Sequence, residues 1–172
     1  MTFNFQRGNH RARPVYWLGW FPLLFNPKEI VRKLWFGTSC KYTFGTEDQW
    51  DVNKLFGVAA TPWGVHKNSI RIGYRFNPDI NKFEILAYWY TSGVRDFQKI
   101  CEVVCFRNYN CKIIVRDKYY LINISQTDNG VVLGEVMVPF KRKPGWFSML
   151  LGPFFGGNRP APHEMTFKLD KL

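Results

Sequence analysis

The strongest constraint on the fold is a pair of alternating segments on either side of the turn Asn77-Pro78-Asp79. Every second side chain of the first segment is apolar: Ile70, Ile72, Tyr74 and Phe76. The second segment repeats this with Phe83, Ile85, Ala87 and Trp89. Because successive side chains of a strand point to opposite faces, the pattern predicts a hairpin in which Phe76 pairs with Phe83. A shift of one residue would mix the two faces, so this register is the one we expect.

The other face of this predicted hairpin is polar and aromatic. In the same register its pairs are Arg75 with Glu84, Arg71 with Tyr88, and Ser69 with Tyr90. The short Ser92-Gly93 turn would bring Arg95 beside Tyr90. Guanidinium groups next to phenol rings suit a flat anionic ligand, since the ring stacks while the guanidinium binds phosphate or carboxylate. Two alternatives remain open: a solvated face stabilised by Arg–Tyr pairs, or a face covered by the N-terminal arm.

The rest of the chain also indicates strands separated by turns. Beside Asn68–Phe76 and Phe83–Thr91, the candidate strands are Lys41–Gly45, Lys99–Phe106, Cys111–Arg116, Tyr119–Ile124, Val131–Pro139 and Met165–Asp170. Aromatic residues, which favour strands, make up 18% of the 172 residues. We therefore predict one all-β domain over residues 1–172, an antiparallel β-sandwich of the jelly-roll type.

One short N-terminal helix is expected before these strands. Asn26 and Glu29 form a capping-box pattern, Pro27 suits the first helical turn, and Gly37 follows the last apolar residue. This predicts a helix over residues 27–36, with an apolar stripe that packs on an open end of the sheet. Residues 1–25 are expected to form an aromatic and basic arm packed against the domain.

Two loops carry an unusual combination of glycine, proline, aromatic and polar residues immediately before a strand. Loops at one end of a sandwich are a common place for ligands. Together with the polar face of the hairpin they define the candidate ligand-binding residues. These are Trp63, His66, Lys67, Arg71, Arg75, Tyr88, Tyr90, Arg95, Asn158, Arg159 and His163.

The net charge of +11 predicts anionic partners, either an anionic small molecule or nucleic acid. The segment from Lys141 to Trp146 is a basic loop tip with an adjacent aromatic residue. It would either contact nucleic acid or an acidic surface, or form a solvated turn. A homo-oligomer is a further possibility that the sequence leaves open.

The histidines suggest an enzyme, but their spacing argues against it. Two-histidine phosphodiesterases place a histidine and a Ser or Thr two residues apart, on one face of a strand. Here His66 precedes Ser69, and His163 precedes Thr166, by three residues, which places each pair on opposite faces. Three histidines without a carboxylate cluster also make no metal site. We expect no metal and no cofactor.

The four cysteines show neither a CxxC pair nor metal-ligand spacing, so we expect them to be reduced. The uncharged run from Pro14 to Phe25 is too short to span a bilayer. Both features favour a cytoplasmic protein, with a virion as the alternative location.

The chain resembles small uncharacterised β-sandwich proteins encoded by gut bacteria and their phages. The resemblance lies in the amino-acid sequences of residues 63–73, of the strand Phe83–Tyr90 and of the turn at 155–163. It implies a phage-related role, with the host cytoplasm or the virion as its setting, and it implies no activity or functional residue.

The leading hypothesis is a non-catalytic protein that binds an anionic, phosphorylated ligand, such as a nucleotide or oligonucleotide. In a phage setting it would sequester a signalling nucleotide. The second hypothesis is a structural or assembly protein, such as a virion component, that binds nucleic acid or an acidic partner. The third is a two-histidine phosphodiesterase, against which the spacing counts.

Overall fold

A computed structural model describes residues 1–14, 23–24 and 26–172. These residues form an all-β protein of two antiparallel sheets arranged like a sandwich. The strands are β1 Thr2–Phe5, β2 Ala12–Arg13, β3 Leu23–Leu24, β4 Glu29–Phe36, β5 Asn53–Ala59, β6 Asn68–Asn77, β7 Lys82–Thr91, β8 Val94–Val103, β9 Asn108–Val115, β10 Tyr119–Gln126, β11 Val132–Pro139, β12 Ser148–Leu151 and β13 Met165–Lys171. Two short 3-10 helices span Thr38–Cys40 and Glu47–Trp50. The predicted all-β class is confirmed.

The first sheet has the strand order β11-β10-β9-β4-β13-β1-β2, and the second has the order β3-β12-β5-β6-β7-β8. Their facing sides form the core, which is rich in aromatic rings. The Phe36 ring of the first sheet lies 4.4 Å from Phe83 and 4.8 Å from Tyr74 of the second, measured between ring centroids. All three side chains are fully buried.

The helix predicted over residues 27–36 is wrong, because this segment is strand β4. Its backbone pairs with β13 on one side and β9 on the other. Asn26 has a left-handed φ of 48°, whereas a helix N-cap is extended. A capping pattern contributes about 1 kcal/mol, so hydrogen bonds to two neighbouring strands outweigh it. The β-branched and aromatic residues of this segment also fit a pleated sheet.

Two further predictions about the N-terminal half need correction or restriction. Residues 41–45, expected to be a strand, form an irregular segment between the two 3-10 helices. The start of the predicted arm is part of the first sheet, because β1 pairs with β13 and buries Phe3 and Phe5. The remainder of the arm at residues 15–22 and 25 lies outside the described residues.

The predicted hairpin register is confirmed. Strands β6 and β7 pair Phe76 with Phe83 and Arg71 with Tyr88. Across the next turn, β7 and β8 pair Tyr90 with Arg95, as expected. The apolar face of this hairpin lies in the core, so its polar face is the outer face of the second sheet.

Cys40, Cys101 and Cys111 are buried and all four cysteines are free thiols in the structure. Burial raises the pKa of the Cys40 and Cys101 thiols to about 12. At neutral pH these thiols are protonated, and the thiolate needed for nucleophilic or metal chemistry is scarce. Within the described residues, no helix is both long and apolar enough to cross a membrane.

Candidate functional site

Two glycines shape the outer face of the second sheet. Gly57 of β5 pairs with Arg71 of β6, and a Cβ atom at Gly57 would lie only 2.8 Å from the Cγ atom of Arg71. The first part of the Arg71 side chain therefore lies close against Gly57. At Gly73, a Cβ atom would lie 2.7 Å from the carbonyl oxygen of Asn53, and Val52 packs over the same position. The absence of side chains at both glycines lets neighbouring groups lie close against the sheet.

Lys54 of β5 lies on this outer face, diagonally across from Arg71. Only 9% of Lys54 is exposed, and its Nζ atom lies 4.6 Å from the centroid of the Tyr88 ring. Burial lowers the pKa of the Lys54 amine to about 8, and the nearby positive charge of Arg71 acts in the same direction. Asp51 opposes this shift without cancelling it.

Two tyrosines connect this lysine to the solvent-exposed end of the face. The hydroxyl groups of Tyr88 and Tyr90 are 3.3 Å apart, and the exposed His66 ring lies 5.2 Å from the Tyr90 ring. Burial raises the pKa of the Tyr88 phenol to about 12, so this hydroxyl is protonated at neutral pH. Arg95, which pairs with Tyr90, is exposed. We call Lys54, Arg71, Tyr88, Tyr90 and Arg95 the cationic centre.

In the described part of the chain the cations of this centre form no direct ion pair, although the Asp51 carboxylate is near enough to act on Lys54. Across the described part of the chain, no ion pair joins Lys54, Arg71 or Arg95 to an acidic group. The Nε atom of Arg71 is buried and makes no hydrogen bond. Burial also lowers the pKa of the Arg71 guanidinium, whereas the two tyrosines act in the opposite direction. The centre is thus a partly dehydrated site of net positive charge.

Arg75 is on the same face, yet it is already neutralised. Its Nε atom donates a hydrogen bond of 2.6 Å to Glu84, and its guanidinium lies 5.2 Å from the Trp50 ring centroid. Glu84 is 4% exposed and also accepts hydrogen bonds from Asn77 and Lys99. Arg75 therefore stabilises the sheet, and the structure gives it no free guanidinium group for a ligand.

The loop before β6 contributes exposed residues at one end of the face. Trp63 is 84% exposed, and Lys67 is exposed beside His66. The Oγ atom of Ser69 donates a hydrogen bond of 2.6 Å to the carbonyl of Val65, which helps to hold this loop against the strand. Trp63, His66 and Lys67 thus lie at the Tyr90 end of the cationic centre.

The loop before β13 divides into two parts. Gly156 and Gly157 pack closely on the candidate site, since a Cβ atom at Gly156 would lie 2.7 Å from Nζ of Lys54. Arg159 instead forms an ion pair of 2.9 Å with Asp48. His163 is hydrogen-bonded through Nε2 to the carbonyl of Ser39, 2.8 Å away.

The remaining predicted residue of that loop, Asn158, is exposed next to Gly157. The contacts of Arg159 and His163 are with residues 39–48, whereas His66 contacts Tyr90. The structure therefore does not bring His66 and His163 into one cluster, and the phosphodiesterase hypothesis gains no support from it.

Sequence reasoning missed Lys54 because it missed strand β5. The signal was present as a lysine followed by Leu55-Phe56-Gly57-Val58, a short apolar run of the kind that forms a buried strand. A lysine inside such a run is uncommon, because burial of its charge is costly.

A cavity of about 390 Å³ lies beside this site, where the two sheets meet near β12. Arg71 reaches its wall, together with Arg11, Pro14 and Met149. Residues 15–22, which connect Pro14 of the cavity wall to Leu23, the residue that pairs with Met149, lie outside the described residues. We therefore assign no ligand to this cavity.

The basic loop tip lies elsewhere, beside the turn between β9 and β10. Lys143 forms an ion pair of 3.0 Å with Asp117, while Lys141 and Arg142 are exposed and Trp146 is 71% exposed. Contact of this tip with nucleic acid or an acidic surface stays a prediction. Within the described residues, no cluster of three or more His, Cys, Asp or Glu side chains is suited to a metal ion.

No family model matches the chain, and no curated protein matches it. Solved structures do resemble its fold. An alginate lyase from Klebsiella pneumoniae superposes with a TM-score of 0.55 at 10% identity, covering 84% of this chain and 58% of that one. The alginate lyase AlyC3 in complex with dimannuronate gives 0.58 at 11% identity, over 99% and 72%.

A protein of unknown function from Saccharomyces cerevisiae gives a TM-score of 0.53 at 13% identity, over 99% of this chain and 87% of that one. The chain thus spans about 58% of the length of the Klebsiella enzyme. At these identities the likenesses show the sandwich fold alone.

Proposed function

We propose that this chain is a non-catalytic binding protein whose cationic centre holds an anionic ligand. The observation that carries the proposal is the pair Lys54 and Arg71, two largely buried cations that form no ion pair with an acidic group among the described residues. Removal of such a charge from water costs several kcal/mol, which a bound anion would offset. Arg95 of β8 adds a third, exposed positive charge on the same face of the sheet.

The aromatic groups around the centre support a ligand that has a flat face as well as a negative charge. Tyr90, His66 and Trp63 line one end, and the first two already contact each other edge to face. Aromatic side chains stack on nucleobases, and arginine binds phosphate in a bidentate manner. A nucleotide or oligonucleotide is therefore our first ligand class.

An acidic oligosaccharide is the second ligand class. It is favoured by the likeness of the fold to alginate lyases, one of which is in complex with dimannuronate. A uronate carboxylate offers Arg71 the same two oxygen acceptors as a phosphate, and a sugar ring can pack on exposed aromatic side chains such as Trp63.

Replacement of Arg71 by methionine should weaken ligand binding about ten- to hundredfold. A hydrogen bond to a charged group contributes about 1.5–3 kcal/mol, and 1.4 kcal/mol corresponds to a factor of ten. We would identify the ligand by thermal shift with linear and cyclic nucleotides and with oligomannuronates, and then measure Kd by calorimetry.

The matched control is Arg116→Met, which removes the same charge from an exposed turn of the other sheet. It should leave Kd within about twofold, because exposed charges contribute little to binding at a distance. Equal loss of affinity in both variants, or none in Arg71→Met, would refute the site.

Several finer assignments belong to this proposal. We propose that the strands of the sandwich are connected as in a jelly roll. We also propose that the protein is of phage-related origin and is located in the host cytoplasm. The alternative is a virion or assembly component, for which native mass spectrometry would show a defined homo-oligomer or a nucleic-acid complex, and no nucleotide or oligosaccharide would shift the melting temperature.

A further inference from the structure

Lys54 differs from the other lysines of the second sheet. Lys82 and Lys99 form ion pairs with Glu84 or Glu102, at N–O distances of 2.9–3.2 Å. Lys54 is more buried than either and makes no ion pair within the described residues. Its Nζ atom lies over the face of the Tyr88 ring, 4.6 Å from the ring centroid.

The charged and titratable groups around this amine come from several elements of the second sheet and its surroundings. Strand β6 supplies Arg71, β7 supplies the tyrosines of the cationic centre, β8 supplies Arg95, and the residues before β5 supply Asp51. The loop before β13 contributes the backbone of Gly156. Burial disfavours the protonated amine, and so does the local charge, because two guanidinium groups outnumber the single carboxylate.

These surroundings favour an uncharged, nucleophilic amine. A lysine becomes a nucleophile when it is desolvated or placed beside another cation, because the neutral form is then populated near neutral pH. With a pKa of about 8, roughly a tenth of the Lys54 side chains are neutral at about pH 7, compared with well under a thousandth for an ordinary lysine.

We propose that Lys54 forms a reversible imine with ligands that carry an aldehyde or ketone beside their anionic group. This inference rests on the proposed anion site, since Arg71 and Arg95 would hold the phosphate or carboxylate while the carbonyl carbon faces Nζ. Candidate ligands are sugar phosphates and uronic acids in their open-chain forms, and 2-oxo acids.

The chemistry needs no oxidant, reductant or metal. The nitrogen lone pair forms a bond to the carbonyl carbon, and the electrons of the C–O π bond move to oxygen, which takes up a proton. The carbinolamine then loses its hydroxyl group with a second proton as water, while nitrogen gives up two hydrogens in total. Hydrolysis reverses these steps, so the protein binds the carbonyl ligand without consuming it.

Pyridoxal 5′-phosphate is a suitable probe, because it joins an aldehyde to a phosphate. The full-length protein is mixed with about one equivalent of probe, reduced with borohydride, digested and mapped by mass spectrometry. We expect one dominant adduct, at Lys54, with yields that rise as the pH increases through the pKa of about 8. Lys99, which is exposed but ion-paired, serves as the internal comparison.

Lys54→Arg and Lys54→Met should both remove the dominant adduct while the protein keeps a cooperative thermal transition. Two variants are used so that a fold defect in one does not decide the outcome. Labelling spread evenly over the exposed lysines of the wild-type protein, or an unchanged yield in both variants, would overturn the proposal.

Pyridoxal, which lacks the phosphate, separates the imine from the anion site. At about pH 9, where the amine is mostly neutral, Arg71→Met should reduce labelling by the phosphorylated probe about tenfold and change labelling by pyridoxal little. If inorganic phosphate fails to protect Lys54 and both probes label it equally, the anion site is wrong and the reactive amine stands. If phosphate esters bind and no Lys54 adduct forms, the imine is wrong and the anion site stands.

Discussion

Replacement of Phe36 by alanine should lower the free energy of unfolding by about 3–5 kcal/mol. Phe36 is fully buried at the centre of the core, with its ring stacked on Phe83 and in contact with Tyr74. Loss of this ring would leave a cavity between the two sheets that their hydrogen-bonded strands cannot collapse to fill. A domain of this size has a total stability of about 5–15 kcal/mol, so urea denaturation would show a large shift of the midpoint.

The neighbouring residue provides the control. Trp35 of the same strand points to the opposite face, where it is partly exposed beside Phe106 and Lys168. Trp35→Ala should cost less than half as much as Phe36→Ala, although a larger ring is removed. A greater loss at Trp35 would contradict strand β4, in which Phe36 faces the core and Trp35 does not.

Replacement of Glu84 by alanine should cost about 3–5 kcal/mol, because it leaves the half-buried Arg75 without its partner. The Glu84 carboxylate accepts hydrogen bonds from the Arg75, Asn77 and Lys99 side chains. Thermal or urea unfolding would measure the loss.

If Arg75 is structural, as its contacts indicate, Arg75→Met should likewise lower stability and leave the affinity of the cationic centre for its ligand unchanged.

The same carboxylate predicts how stability depends on pH. Burial alone would raise the pKa of Glu84, but hydrogen bonds from Arg75 and Asn77 outweigh it, and the folded-state pKa lies below the ordinary value. A carboxyl group with a depressed pKa stabilises the protein above its unfolded pKa of about 4.3, and this contribution is lost as the pH falls through the folded value.

We therefore expect wild-type stability to fall below about pH 4.3 more steeply than that of Glu84→Gln, which starts from a lower value at neutral pH. Glu135→Gln is the matched control, because Glu135 accepts a hydrogen bond from Asn123 on the outer face of the other sheet. This variant removes an exposed carboxylate and should therefore change stability at neutral pH little. Parallel profiles for all three proteins would show that the Glu84 network does not stabilise the fold.

The candidate site was predictable to the extent that it lies on one hairpin. Side chains alternate between the two faces along β6, β7 and β8, and this alternation can be recognised in the sequence. It places on one face Arg71, Tyr88, Tyr90 and Arg95. Lys54 was not predictable in this way, since its strand joins the face through pairing with β6 and not through any local pattern.

The presence of an arginine on this face did not indicate whether its guanidinium group could bind a ligand. Arg71 and Arg75 are equivalent in the alternation, yet Arg75 is bound to Glu84 and Arg71 has no acidic partner among the described residues. The difference arises from the side chain directly opposite each arginine, a glutamate for one and a tyrosine for the other. The register predicted from sequence already contained both pairs, but it did not show how deeply each would be buried.

The amino-acid pattern was sufficient to predict the all-β class, the register of the central hairpin and the face on which its arginines and tyrosines lie. These depend on a period of two residues and on short turns, which are properties of neighbouring residues. The three-dimensional structure was needed to show that residues 29–36 form a strand, that Lys54 lies near Arg71, and that Arg159 and His163 contact residues 39–48. Each of these depends on contacts between segments that are distant in sequence, and such contacts contribute more free energy than the local signals that pointed elsewhere.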